Sequence, residues 1–162
     1  MIRILVLISV LFFSTLTFSQ ASKINDYTLT IKKSKIVKEN KQTFWVIPTT
    51  LTNNSRDTLR YFSHTCWWSD FYHVTSKNKN LQIQGPAECR KSALTILTLA
   101  PGKTSTVELK LLVSKTTEVS KTRFKIGFDL IKASKEQKLY AIDEKELKKK
   151  NKIIIWSNVI SM

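Results

Sequence analysis

The sequence predicts an all-β protein, a Greek-key sandwich of about eight strands, and three observations carry that expectation. Apolar and polar residues alternate along nearly the whole chain after residue 20, the alternating runs are rich in β-branched and aromatic types, and turn-forming clusters separate them. A helical period is almost absent outside one late connection.

The first twenty residues stand apart from this pattern. Arg3 precedes an apolar stretch from Ile4 to Phe13, and Ser14, Thr15, Thr17 and Ser19 then interrupt it. A spanning helix needs about 20 apolar residues, so residues 1–20 read as a signal peptide and residues 21–162 as a single β-sandwich domain. Cleavage near Gln20 or Ala21 leaves no cysteine at the new N-terminus to accept lipid. The expectation is an exported protein, periplasmic or extracellular, with no transmembrane segment after cleavage.

The elements follow in order. Tyr27, Leu29 and Ile31 alternate with Thr28, Thr30 and Lys32, and a polar stretch from Lys38 to Lys41 separates them from Phe44 to Ile47, which gives a first hairpin. Pro48 cannot donate to a ladder, so the second strand is expected to be an edge, bulged or broken there before Thr49 to Thr52 continues it. Asn53 to Asp57 is a turn cluster, and Thr58 to Phe62 resumes the strand. Phe71–Thr75 and Leu81–Ile83 are short strands around a polar turn, and Leu94–Leu99 runs into a turn at Ala100 to Lys103. The clearest alternation is Val107, Leu109, Leu111, Val113 and then Phe124, Ile126, Phe128, Leu130. Gly127 falls on the polar phase of the latter, which marks a bulge or a close backbone approach. Ile153 to Ile160 is apolar enough to return to the sheet centre. Between residues 132 and 152, Asp143 caps a predicted short helix, with Glu146 completing a capping box and Glu144–Lys148 and Glu146–Lys150 as favourable pairs.

Two cysteines, Cys66 and Cys89, both follow the predicted cleavage point, and an even count in an exported chain reads as a disulfide. The formal net charge is +15, and removal of residues 1–20 takes away only Arg3. Such a surface attracts acidic polymers. The chain has 22 lysines against five arginines and shows no nucleic-acid module, so sequence-specific nucleic-acid binding is not expected. The one basic run, Lys148, Lys149 and Lys150, is a candidate basic surface and also suits a helix C-terminus.

Ser63 to His73 gathers both histidines, one cysteine and four aromatics. His64, Cys66, Asp70 and His73 are metal-ligating types, but their spacing matches no common site and an oxidised Cys66 is no ligand, so no metal or cofactor is expected. Oxidation equally removes the thiolate that cysteine catalysis needs. The candidate binding residues are therefore Trp67, Trp68, Tyr72, His64 and His73. Rigid aromatics make an interaction platform at small entropic cost, whereas the competing use of the same side chains is core packing beside the disulfide. No two glycines are adjacent, so no phosphate loop is formed.

The run Leu51 to Leu59, with its Asn53-Asn54-Ser55 turn, followed by Leu99-Ala100-Pro101-Gly102-Lys103, resembles bacterial immunoglobulin-like domains over residues 43–131. The resemblance implies an immunoglobulin-like Greek-key sandwich. The architecture also looks like that of the bacterial intracellular proteinase inhibitor group, from which export and the disulfide depart. These motifs specify turns, so no site residue and no inhibitory activity is carried over. In antibody-type domains the disulfide bridges the two sheets with a Trp packed on it; here the cysteines lie 23 residues apart with Trp67 beside the first, which suits a clamp on neighbouring strands or a loop. The functional expectation is a non-enzymatic module that binds a protein or a cell-envelope component. The alternative is a polyanion or glycan binder that uses the lysine-rich surface and the aromatic segment.

Overall fold

The structure is a computed structural model that describes residues 25–75, 81–85, 89, 91–113, 123–137, 147 and 152–161. The predicted signal peptide and Lys148 to Lys150 lie outside the described residues, as does the predicted helix apart from Leu147, which is buried. The described chain is nearly all β. Its strands are β1 (Tyr27–Ile31), β2 (Lys35–Glu39), β3 (Gln42–Asn53), β4 (Leu59–His64), β5 (Tyr72–Thr75), β6 (Leu81–Gln84), β7 (Leu94–Leu99), β8 (Thr104–Val113), β9 (Arg123–Leu130), β10 (Ile153–Trp156) and β11 (Ile160–Ser161), and a 3₁₀ turn, Trp68–Phe71, precedes β5. Among the described residues no helix is long and apolar enough to cross a membrane.

Three sheets form. In the largest, β3 pairs antiparallel with β8, which pairs with β6; the other side of β3 is shared by β1, opposite Thr49–Asn53, and β2, opposite Gln42–Val46. The expected first hairpin is thus corrected: β2 and not β1 is joined to β3 by the tight turn. Its two central residues, Asn40 and Lys41, both have positive φ, at 48° and 64°, as the primed turn of a two-residue hairpin demands. Pro48 sits in the middle of a central strand without breaking it. Its carbonyl accepts from the Lys32 N–H, so its missing donor falls at the junction where β1 ends and β2 has yet to begin.

The second sheet is built on β9, with β10 and β11 along one edge and β5 along the other; the third is β4 with β7. The last two are stitched together beyond the end of β9, where the Phe62 N–H donates to the Ile131 carbonyl and Ala133 to Arg60. Ile47, Leu51, Leu109 and Leu111 of the large sheet and Tyr61, Phe124, Ile126, Phe128 and Leu130 of the smaller ones share one buried cluster. Trp45 meets Phe124 across it at 6.2 Å between ring centroids. Burial of such side chains is worth about 1.5–3 kcal/mol each relative to exposure.

The two turn motifs of the sequence meet at Asn53, which is fully buried. Its Nδ2 donates to the carbonyls of Asp57 and Leu99, both at 2.8 Å, while its Oδ1 accepts from the Ser55 N–H at 3.0 Å and the Ser55 hydroxyl at 2.7 Å. Its backbone closes the Pro101–Gly102 turn, donating to Lys103 and accepting from Gly102. Every polar atom of this buried amide is therefore satisfied, as burial requires.

The final segment corrects another expectation. It flanks β9 in two pieces and leaves Ile153, Ile154, Trp156 and Val159 exposed. The break occurs at Ser157, whose hydroxyl accepts from the Ile126 N–H and whose own N–H donates to the Ile126 carbonyl. The ladder is thereby kept while the strand is offset.

Candidate functional site

Along the β4–β5 edge of β9 the chain makes one large excursion. Between Phe62, bonded to Ile131, and Tyr72, opposite Phe128, it spends nine residues where the partner strand spends two. Ser63 and His64 continue β4 against β7, and the 3₁₀ turn brings the chain back. The disulfide Cys66–Cys89 holds this loop, with Cα atoms 5.9 Å apart. Three hydrogen bonds tie it to the residues before β7: Thr65 N–H to the Ala93 carbonyl, Ala93 N–H to the Thr65 hydroxyl, and Trp67 N–H to the Ser92 hydroxyl. The disulfide is a local clamp between the approach to β7 and the loop after β4.

The excursion separates the aromatic candidates. Tyr72 packs against the core, its ring 4.8 Å from Phe128, and Trp68 meets Tyr72 edge to face at 6.1 Å. Burial raises the Tyr72 hydroxyl well above the usual tyrosine range, and it raises Tyr61 as well, against a smaller opposite effect from the Ser105 hydrogen bond. Tyr61 belongs to the core, and Tyr72 packs against it partly buried. Trp67 and Trp68 lie in and beside a 3₁₀ turn, so strand alternation does not divide them between faces. Instead Trp67 lies across the backbone of Gly85, where an added Cβ would come within 2.8 Å of the indole, and remains 38% exposed.

The two histidines each stand beside a carboxylate. His64 lies edge to face on Phe71 with ring centroids 5.3 Å apart, and its Nδ1 is 3.9 Å from Asp70 Oδ2. His73 Nδ1 stands 3.5 Å from Asp129 Oδ1, and Lys152 Nζ bonds the other oxygen of Asp129 at 2.6 Å. Between these groups a cleft of about 620 Å³ is lined by His64, Asp70, Asp129 and Lys152 over an apolar floor of Phe71, Ile131 and Leu147. That volume is in the range of small-molecule or side-chain pockets. Only His64 of the five candidate residues lines it; His73 borders it through Asp129.

His73 also belongs to a row across three strands, opposite Gly127, which is opposite Trp156. The imidazole and indole meet edge to face at 5.0 Å directly over the glycine. A Cβ there would be 2.7 Å from Trp156 and would overlap the imidazole, so Gly127 marks a close approach. Asp129, Lys152, Leu147 and Trp156 escaped the sequence reading because each is brought in by register from a distant strand or connection.

Both cysteines are oxidised, and among the described residues no three His, Cys, Asp or Glu side chains gather as a metal set. The described lining of the cleft offers an imidazole, two carboxylates and one ammonium group, which suits polar recognition of a side chain or headgroup above an apolar base.

No family model matches the chain, and no curated protein matches it. Among solved structures, the yjhA protein from Bacillus subtilis is similar at 15% identity, over 82% of this chain and 92% of that one, with a TM-score of 0.42. That level of likeness assigns neither family nor function.

Proposed function

We propose that this chain is an exported, non-enzymatic interaction module with an immunoglobulin-like Greek-key sandwich, and that it binds a protein or cell-envelope component through the disulfide-clamped excursion. The supporting observation is the excursion itself. Nine residues leave the side of β9, are cross-linked in place, and present exposed Trp67 and Asp70 beside the His64 cleft. An anchored loop carrying a rigid aromatic loses little freedom on binding, which is what a hot spot requires. The disulfide also accords with export to an oxidising compartment.

The test is capture from the producing cell's solubilised envelope on immobilised, oxidised residues 21–162, with a Trp67→Ala, Asp70→Ala double variant in parallel. A component retained by the wild type and lost by the variant supports the reading. Equal retention by both proteins removes the excursion from the binding surface.

A second reading, glycan binding, is favoured by a separate cleft of about 360 Å³ on the outer face of the large sheet. Trp68 and Phe44 line it together with Gln42, Gln84 and Asn40. Its carboxylates are compensated, Glu39 by Lys110 at 2.9 Å and Glu108 by Lys35 at 3.8 Å. Amides and balanced charges beside an indole suit a neutral hydroxylated ligand better than a polyanion. Salt separates the two: polyanion affinity falls steeply with salt and neutral-glycan affinity does not.

A further inference from the structure

The geometry points to the free edge of β7 as an interface with a second copy of this chain, formed by antiparallel β7–β7 pairing across a two-fold axis. Strand β7 pairs with β4 on one side, and among the described residues no strand pairs with the other. Such an edge is a template for another strand, and proteins usually guard it with lysine, proline or a bulge. Here the guard is missing. From Ser92 to Gly102 there is no charged residue, in a chain where 24% are charged, and Leu97 is 41% exposed at the rim. By contrast, the outlying strand β2 carries Lys35, Lys38 and Glu39, and the edge of β10 is met by β1 through Leu29–Ser157 and the Ile31 N–H to Asn158 bond.

Charge selects the occupant. Two copies of a chain with a formal charge of +15 repel at any lysine-bearing surface, whereas this edge lets them approach without opposing like charges. An acidic partner would be drawn to the lysines and gains nothing here. A two-fold axis through Leu97 sets Leu97 against its own copy, Ile96 against Thr98 and Thr95 against Leu99, so every cross-strand pair is uncharged and leaves two β-formers facing each other.

Sedimentation velocity of oxidised residues 21–162 across a micromolar concentration series, at low and high salt, tests this. A monomer–dimer equilibrium that strengthens with salt is expected, because screening removes the repulsion between copies. Leu97→Lys and Thr98→Lys, both at exposed positions, are each expected to weaken it by roughly tenfold or more without changing the thermal midpoint at concentrations where the wild type is monomeric. Ile36→Lys, at a 65% exposed site on β2, leaves it unchanged. A monomer at every concentration and salt overturns the proposal, as does dimerisation of both β7 variants with wild-type affinity. Neither result bears on binding through the excursion.

Discussion

Substitution of Asn53 by Asp keeps the shape of the side chain and inverts half of its hydrogen bonding. Oδ1 still accepts from Ser55, but the two N–H donors to the carbonyls of Asp57 and Leu99 are replaced by an oxygen 2.8 Å from each. Each lost hydrogen bond is worth about 1 kcal/mol net, and the Leu99 carbonyl, left buried without a donor, adds a desolvation cost of about 1–3 kcal/mol, whereas the Asp57 carbonyl keeps the Ser55 hydroxyl as donor at 2.9 Å. Together these give an expected loss of about 3–5 kcal/mol, a large share of the roughly 5–15 kcal/mol that stabilises a domain. Urea unfolding of residues 21–162 followed by tryptophan fluorescence reads it as a fall in midpoint at constant slope. Burial raises the pKa of the new carboxyl in the folded state, and its neutral form restores one donor. The loss is therefore smaller below the unfolded-state value of about 4 and grows as pH rises through the folded-state value. Asn54→Asp is the control, because Asn54 bonds Asn25 and Thr28 at the exposed surface; it costs under about 1 kcal/mol. A loss at Asn53 no larger than at Asn54 would refute the role assigned to the buried amide.

Three further perturbations are informative. Tyr61 and Tyr72 have raised folded-state pKa values from burial, so stability is full below the ordinary value of 10.0 and falls as pH rises above it, because the unfolded chain ionises first; urea titrations at increasing alkaline pH show this slope, and Tyr72→Phe makes it shallower. Gly127→Ala drives a methyl group into His73 and Trp156 and costs about 1–3 kcal/mol; chemical denaturation measures it, and adding His73→Ala recovers part of the loss, the contact with Trp156 remaining. Lys41→Gly relieves a left-handed non-glycine residue at φ 64° and raises stability by about 1 kcal/mol, read as a shift in thermal midpoint.

Alternation made the strands legible wherever one face was buried. Phe124, Ile126, Phe128 and Leu130 are all core residues, as their spacing implies. Strand β2 was invisible because it buries almost nothing: Ile36 is exposed and three of the five residues, Lys35, Lys38 and Glu39, are charged, so the stretch reads as a polar connection. Pro48 misled because a residue's tolerance in a sheet depends on what lies beside its missing N–H, and that neighbour is a gap between two strands. Around the site, Cys66 and Cys89 announced a local clamp by their number and separation, and the structure contains it. The division of labour among Trp67, Trp68 and Tyr72 was not legible, since a 3₁₀ turn imposes no two-residue alternation. The pairing of His73 with Asp129, and the cover of Gly127 by Trp156, depend on register between distant strands, which no local pattern encodes.

The central claim, that the clamped excursion is the binding element, is tested most directly by removing the clamp. A Cys66→Ala, Cys89→Ala variant of residues 21–162 loses about 3 kcal/mol of stability on the chain-entropy model, and neither cysteine belongs to the β9 ladder or the shared core. Its capture of envelope components is then compared with that of the oxidised wild type. The account predicts a variant with native circular dichroism that no longer retains the wild-type partner; full retention of that partner by the folded, unclamped variant would contradict it.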